Sequence, residues 1–330
     1  MSSERRGILC AGNWIVDLVH DITDWPDESN LVRIDNQSRG IGGGAANVIA
    51  ALARLETGLP LWPMGAIGDD EPGRFILERC ADLGLPVDAL RIKAGVPTAH
   101  THVMSVPGRS RTFFYQGGAN DALADADFPT GTFARTPARV FYLGYLSLLG
   151  ELDRIDASGM SGAARVLQRA QQAGLTTCVD LVSIVHPAFR AIVASAAPFI
   201  DHLIVNELEA ARATGTEDDT LTDTATLQSM AGQLAALGIG RSVVVHCASR
   251  AVWQGADGAQ HVVEIPPLDP ADIASTLGAG DAFCAGLIYA LHEGGSAERA
   301  LTLAVATARA SLRGHTATEA IPPLTALELR

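Results

Sequence analysis

Short runs with the β-branched, apolar character of strands alternate along this chain with longer stretches whose apolar residues recur at helical spacing. That alternation limits the possible folds more than any other feature. The strand-like runs are Ile8 to Cys10, Thr177 to Leu181, His202 to Val205 and Ser242 to Cys247. The helical stretches are Ala45 to Leu55, Gly73 to Leu83, Gly162 to Ala173 closed by Gly174, and Thr224 to Leu237 closed by Gly238. A glycine just past the last turn supplies the left-handed residue that ends a helix. Strand and helix in strict succession imply crossover connections, hence an α/β fold with a central, mostly parallel sheet and helices on both faces. Two stretches, about 16–39 and 96–117, break the rhythm with β-branched or aromatic residues mixed among polar and turn residues. They predict small antiparallel strands outside the main sheet. Pro266 to Pro270 (PPLDP) reads as an irregular loop. With no internal repeat and no low-complexity linker, residues 1–330 read as a single domain.

Composition removes several function classes. With 48% hydrophobic and 18% charged residues, the chain can bury a large core and is not a disordered polyelectrolyte. Its formal net charge of -13 repels nucleic-acid backbones and anionic membrane surfaces, so neither is an expected partner. Asn13 and Asp17 interrupt the apolar run near the N-terminus, and no stretch approaches the length of a membrane span. The five cysteines are scattered and never spaced C-x-x-C, which reads as buried, reduced thiols and a cytoplasmic location. Glycine, at 33 of 330 residues, exceeds its usual share of about 7%. The excess points to tight turns or to backbone that approaches a ligand closely.

Two glycine-rich turns feed helices. In Ser275 to Leu291, STLGAGDAFCAGLIYAL, Gly278, Ala279 and Gly280 leave the backbone N–H groups free to converge on an anion at the positive end of a helix. Asp281 lies on the stripe that carries Cys284, Ala285 and Ile288, so its carboxylate faces inward as a candidate base; a simple helix cap is the structural alternative. In Gly40 to Leu55, GIGGGAANVIAALARL, Gly40, Gly42 and Ala45 also fit G-x-G-x-x-A. A dinucleotide fingerprint should follow the first core strand and precede an acid ending the next one, whereas Glu56 sits in a loop. The glycines with Asn47 one turn into the helix suit a hydroxyl-rich ligand instead, or else form a tight helix–strand packing turn. Asn206 and Glu209, in NELE directly after the run HLIV, stand at a strand's C-terminal end, where open α/β sheets bind ligands, and can hold water around Mg²⁺ and a triphosphate. They also fit a capping box. Asp17, inside IVDLV, can accept hydrogen bonds from sugar hydroxyls or else face water on an edge strand. The histidines form no H-x-x-H pattern, and no G-x-S-x-G elbow is present, since GYLSLLG spaces its serine wrongly.

In order and spacing, GGGAANVIAAL, NELE and GAGDAFCAGLIYAL resemble the motif set of the ribokinase-like (PfkB) carbohydrate kinase family. The resemblance spans essentially the whole chain, with GNWIVDLV similar to that family's first strand and its sugar-binding acid. It implies an enzyme that uses ATP and Mg²⁺ to phosphorylate a hydroxyl of a sugar or sugar-like molecule. Asp17, Gly43 and Asn47 would hold the sugar, Asn206 and Glu209 would organise phosphate and Mg²⁺, with Glu209 acting on the metal through water, and Gly278, Ala279, Gly280 and Asp281 would supply anion hole and base. The segments 16–39 and 96–117 would form a β lid, through which a homodimer could pair, and Arg109, Arg111, Phe113 and Tyr115 would influence substrate choice, or else the alternating aromatics only pack within the lid. Nucleoside phosphorylation, or sugar binding without catalysis, are the alternatives. Two departures stand out. Ser275 occupies a position where the family often has an aspartate that serves a K⁺ site, and His246, Cys247 and Ala248 replace its T-x-G nucleotide loop.

Overall fold

The computed structural model describes residues 5–109, 111–217 and 220–329. Residues 1–4 of the N-terminal segment, and residue 110 in the second of the two rhythm-breaking stretches, lie outside the described residues. The chain begins β1 (Ile8–Gly12), β2 (Ile15–Ile22), β3 (Ile34–Gly42), α1 (Gly44–Arg54), β4 (Leu61–Gly68), α2 (Glu71–Asp82), β5 (Leu90–Lys93), β6 (His100–Ser105) and β7 (Thr112–Gln116). It continues α3 (Gly118–Asp121), α4 (Thr130–Arg135), β8 (Val140–Leu146), α5 (Gly162–Gln172), β9 (Thr176–Leu181), α6 (Phe189–Ala196), β10 (His202–Asn206), α7 (Glu207–Thr214), α8 (Thr224–Ala235) and β11 (Ser242–His246). The last elements are β12 (Arg250–Gly255), β13 (Gln260–Glu264), α9 (Ala279–His292) and α10 (Ala297–Ser311).

Nine strands form one sheet in the order β13-β12-β11-β10-β9-β8-β1-β4-β5. Every pairing from β11 to β5 is parallel, and β12 and β13 add an antiparallel edge. Successive strand residues point to opposite faces, and here both faces are apolar because both are covered. Leu9, Ala11, Phe141 and Leu143 pack toward α5, α6, α7 and α8, while Ile8, Cys10, Val140 and Tyr142 pack toward α1, α2, α9 and α10. All five cysteines are free and buried. No helix among the described residues is long and apolar enough to cross a membrane.

The rhythm-breaking stretches supply a separate four-stranded sheet, β3-β2-β6-β7. Its pairing corrects the all-antiparallel expectation. β2 pairs antiparallel with β3, and β6 with β7, but β2 and β6 run parallel. Parallel pairing is forced because β2 and β6 both leave the main sheet region in the same direction, from two separate insertions. Asp17 accordingly sits on β2 and not on the first strand of the core.

Several core strands carry no clear strand pattern in the sequence. β4 reads LWPMGAIG and β8 reads VFYLGYL, and glycine or proline within each obscures the strand pattern. On α9, Gly286 allows unusually close packing of α10: a Cβ there would lie 2.5 Å from the Leu303 carbonyl oxygen and 2.6 Å from Thr307 Oγ1. Gly286→Val is therefore expected to destabilise the fold by about 2 kcal/mol or more, the usual cost of overpacking. Urea denaturation of parent and variant checks this, and equal midpoints would show that α9 and α10 have room to spare.

Candidate active site

The strands β8, β9, β10 and β11 all end on one edge of the main sheet, the edge at which open α/β sheets place ligands. A cavity of about 780 Å³ opens there. Its walls are those strand ends, the start of α9, the turn into α1, and the face of the second sheet that carries Asp17, Thr101, Phe113 and Tyr115.

Asp281 lies at the base of this cavity. Cys284, Ala285 and Ile288 on its stripe are fully buried, which turns the carboxylate inward. It does not cap its helix. The N-cap is Gly278, in the left-handed region at φ 72°, and no side chain caps the end. Both Asp281 oxygens instead face donors from other elements. The Tyr145 hydroxyl donates to Oδ1 at 2.8 Å and Oδ2 at 2.9 Å, and Asn47 Nδ2 donates to Oδ2 at 2.9 Å. Burial pushes the Asp281 carboxyl up to about 7, and those two hydrogen bonds oppose the rise. Tyr145 is itself held by Asn13, whose Oδ1 accepts from the Tyr145 N–H at 2.5 Å and whose Nδ2 donates to the Leu148 carbonyl at 2.8 Å.

The first turn of α9 offers free amides. Ala279 N–H reaches back to the Thr276 carbonyl at 3.4 Å, and Ala282 N–H pairs with the Gly278 carbonyl, but the N–H groups of Gly280 and Asp281 have no acceptor among the described residues. Gly280 leaves that surface open, since a Cβ there would meet only His246 Cε1 at 4.0 Å. Gly278 has a different reason to be glycine: beyond its positive φ, a Cβ would lie 2.3 Å from that of Ala317.

At one end of the cavity Asp17 is buried, not facing water. Gly42 makes room for it, since a Cβ there would stand 2.1 Å from Asp17 Oδ2. Burial pushes its carboxyl up to about 6, opposed by Thr101 beside it and by the Arg111 charge. Asn47 lines the same region with Gly43, and its Oδ1 is buried without a partner. The opposite end is lined by Asn206, Glu209, His246 and residues 276–280. Here the capping box is real: Asn206 Oδ1 accepts from the Glu209 N–H at 2.9 Å, and Glu209 Oε2 accepts from the Asn206 N–H at 3.0 Å. Ser183 Oγ and Asn206 Nδ2 both donate to Glu209 Oε1. His246 stacks on Phe283, with ring centroids 4.4 Å apart, and burial lowers its pKa to about 4, so the imidazole is neutral. Ala248 is exposed, outside the cavity wall. Ser275 is buried and its Oγ accepts from the Leu277 N–H at 3.0 Å.

Tyr145 and Asp180 escape the sequence reading. Tyr145 lies within GYLSLLG, and only its serine is weighed there. Asp180, next to last in the apolar strand β9, lines the cavity, with burial and the Asp281 charge holding its carboxyl well above the usual range. An acid inside TTCVDL is the signal that could have found it.

The family model described as pfkB family carbohydrate kinase matches residues 5–324, and the chain belongs to that family. It is 29% identical over 293 residues to the aminoimidazole riboside kinase of Salmonella typhimurium, covering 87% of this chain and 84% of that one. It is 26% identical over 309 residues to the ribokinase of Arabidopsis thaliana, covering 91% and 74%. The solved structure of Arabidopsis thaliana ribokinase complexed with ribose and ATP shares the fold, with a TM-score of 0.78 at 24% identity over 97% of this chain and 96% of that one. The protein is thus a carbohydrate kinase that phosphorylates a hydroxyl of a sugar or sugar-like substrate with ATP.

The raised Asp281 carboxyl has a consequence for stability. With a folded value of about 7 and an unfolded value of 3.8, the folded state binds more protons than the unfolded one between these limits, so stability falls as pH rises through that window and levels off above it. Asp281→Asn removes this dependence while still accepting from Tyr145 and Asn47. The variant is expected to be more stable than the parent at pH 8, by about 1 kcal/mol or more. The difference should vanish by about pH 4. Denaturation curves across that range check it, and a variant less stable than the parent at pH 8 would contradict the burial cost.

Proposed function

We propose that Asp281 is the general base and that the free N–H groups of Gly280 and Asp281 stabilise the transferring phosphoryl group. The observation that carries this reading is the juxtaposition itself: a buried carboxylate with two side-chain donors, directly beside two backbone N–H groups that lack acceptors. The acceptor hydroxyl would give its proton to Asp281 as its oxygen attacks the γ-phosphorus. The bond from that phosphorus to the bridging oxygen breaks, and ADP leaves with the electron pair. Negative charge on the transferring oxygens is met by amides that are already oriented. A base titrating near 7 suits this work at neutral pH, where both protonation states are accessible.

Asp17 and Asn47 would hold the acceptor's hydroxyls, the first through its carboxylate and the second through its unpartnered Oδ1. Gly43, at φ 92°, keeps the turn into α1 tight enough to bring Asn47 under the acceptor. Asn206 and Glu209 would serve the triphosphate. Glu209 fits Mg²⁺ through bound water and not by direct contact, because both its oxygens already accept hydrogen bonds and no group of three His, Cys, Asp or Glu among the described residues could hold a metal ion. Mg²⁺ supplies charge neutralisation on the phosphate oxygens. Within this single domain the segments 16–39 and 96–117 act as a lid, excluding water that would otherwise take the phosphoryl group.

ATP consumption over a panel of sugars and nucleosides tests the reading and separates sugar from nucleoside acceptors. On the acceptor found, Asp281→Asn is expected to lower kcat by about 10² to 10⁴ with little change in ATP affinity by calorimetry; turnover within about threefold of the parent would leave Asp281 a structural residue.

Tyr145→Phe removes a donor that favours the charged carboxylate, so the acid limb of the kcat profile should move to higher pH. An unmoved limb would detach Tyr145 from the base. Replacing K⁺ by a large organic cation should change the rate little, because the Ser275 hydroxyl carries no charge and is committed to its own turn. A fall of about tenfold, equivalent to roughly 1.4 kcal/mol, would show that backbone carbonyls alone build a cation site.

A further inference from the structure

Among the described residues, Arg111 is the only lysine or arginine that lines the cavity. It immediately precedes β7, half-buried, and its Nη1 is buried without a partner. Among the described residues no hydrogen bond or ion pair holds any part of its guanidinium. The other bare guanidinium nitrogens differ. Those belong to Arg39 and Arg250, whose remaining nitrogens pair with Glu71 and with Thr224. Asp21 and Asp17 lie near enough for their charges to act on Arg111, yet neither reaches ion-pair distance. A guanidinium whose Nη1 is buried with no acceptor among the described residues is costly to keep, and native structures rarely keep one without a use.

Its position selects that use. Arg111 belongs to the sheet that carries Asp17, Thr101, Phe113 and Tyr115, the end of the cavity assigned above to the acceptor. The nucleotide end, around Asn206, Glu209 and Gly280, has no lysine or arginine on its wall among the described residues. Asp17 and the Asn47 Oδ1 can satisfy hydroxyls but would repel a negative group, and Arg111 alone can receive one. A planar guanidinium matches the paired oxygens of a carboxylate or phosphate with two parallel hydrogen bonds.

We infer that the acceptor carries an anionic group as well as the hydroxyl that is phosphorylated, that is, a sugar acid or a sugar phosphate, and that Arg111 is the residue that selects for it. The inference rests on the kinase reading above for the direction of the acceptor in the cavity. It makes Arg111 a specificity determinant with no part in the proton or phosphoryl transfer.

The test compares a neutral sugar, its aldonic and uronic acids, and its phosphate monoester as acceptors for the parent, Arg111→Met and Arg111→Lys. Binding of the same compounds is followed by calorimetry with a non-hydrolysable ATP analogue present. The parent should prefer an anionic member to the neutral sugar by about tenfold or more in kcat/KM, a difference of roughly 1.4 kcal/mol. The acid and phosphate arms show which anion is meant. In Arg111→Met that preference should collapse to about twofold or less, with Arg111→Lys between the two, because an ammonium keeps the charge but loses the paired geometry. Melting should not fall in Arg111→Met, since no partner among the described residues is lost.

A parent that favours the neutral sugar, or an Arg111→Met variant that loses turnover of every acceptor in the same proportion, overturns the inference while leaving the kinase reading intact. Arg111-dependent binding of an anionic compound without phosphorylation of any panel member upholds the anion site and counts against the kinase mechanism. Absence of any Arg111-dependent binding or preference overturns the inference.

Discussion

The carboxylate of Asp281 is buried at the meeting point of three elements, and the rest of the site is arranged around the cost of keeping it there. Desolvation disfavours its charge, and two donors offset part of that cost, Tyr145 from the end of β8 and Asn47 from the first turn of α1. Each donor is fixed in turn, the tyrosine by Asn13 and the asparagine by the glycine turn that starts its helix. A loop after β1, a strand end and two helix starts are thereby tied to one charged group. The free amides of Gly280 and Asp281 belong to the same knot, because the inward stripe that aims Asp281 also fixes the first turn of α9 at the cavity floor.

Much of this was legible in the sequence because it depends on local rules. The α/β class followed from the alternation of periods, and the helices at Thr224 and Gly162 began where expected and ended within two residues of the expected stop. GAGD, NELE and GGGAAN were visible because small residues before a helix have few explanations. What stayed hidden needed three-dimensional pairing. The parallel union of β2 and β6 joins residues about eighty positions apart. Tyr145 sits in a strand whose glycine interrupts its pattern, and nothing local reveals that its hydroxyl meets α9. For Asn206 and Glu209 the modest and the functional readings both describe the geometry: the capping box exists, and its outer face lines the cavity. The Asp281 cap was the opposite case, excluded once its oxygens were seen to point away from the helix backbone.

His246 shows how a departure from a familiar pattern can be absorbed. It ends β11 beside Asn206 in the parallel register, stacks on Phe283 and turns an edge toward Gly280. Burial keeps it neutral, so it adds a hydrogen-bonding group to the cavity wall without adding another charge to a wall already crowded with carboxylates. The exposed Ala248 bears no part of that wall, so the altered loop changes the site at one residue only.

The second sheet hangs from the main one by four chain crossings: into β2, out of β3, into β6 and out of β7. Four chain connections thus hold the second sheet beside the cavity. They also divide the labour of the sequence. Asp17, Thr101, Arg111 and Phe113 all lie between residues 15 and 116, whereas Gly278 to Asp281 lie near the far end of the chain, on the main sheet's side. With the roles proposed above, altered acceptor preference would arise by drift within the insertions while the residues proposed for phosphoryl transfer stay under unchanged constraint. A scaffold partitioned in this way is modular in evolutionary terms, able to diversify what it phosphorylates without rebuilding how it does so.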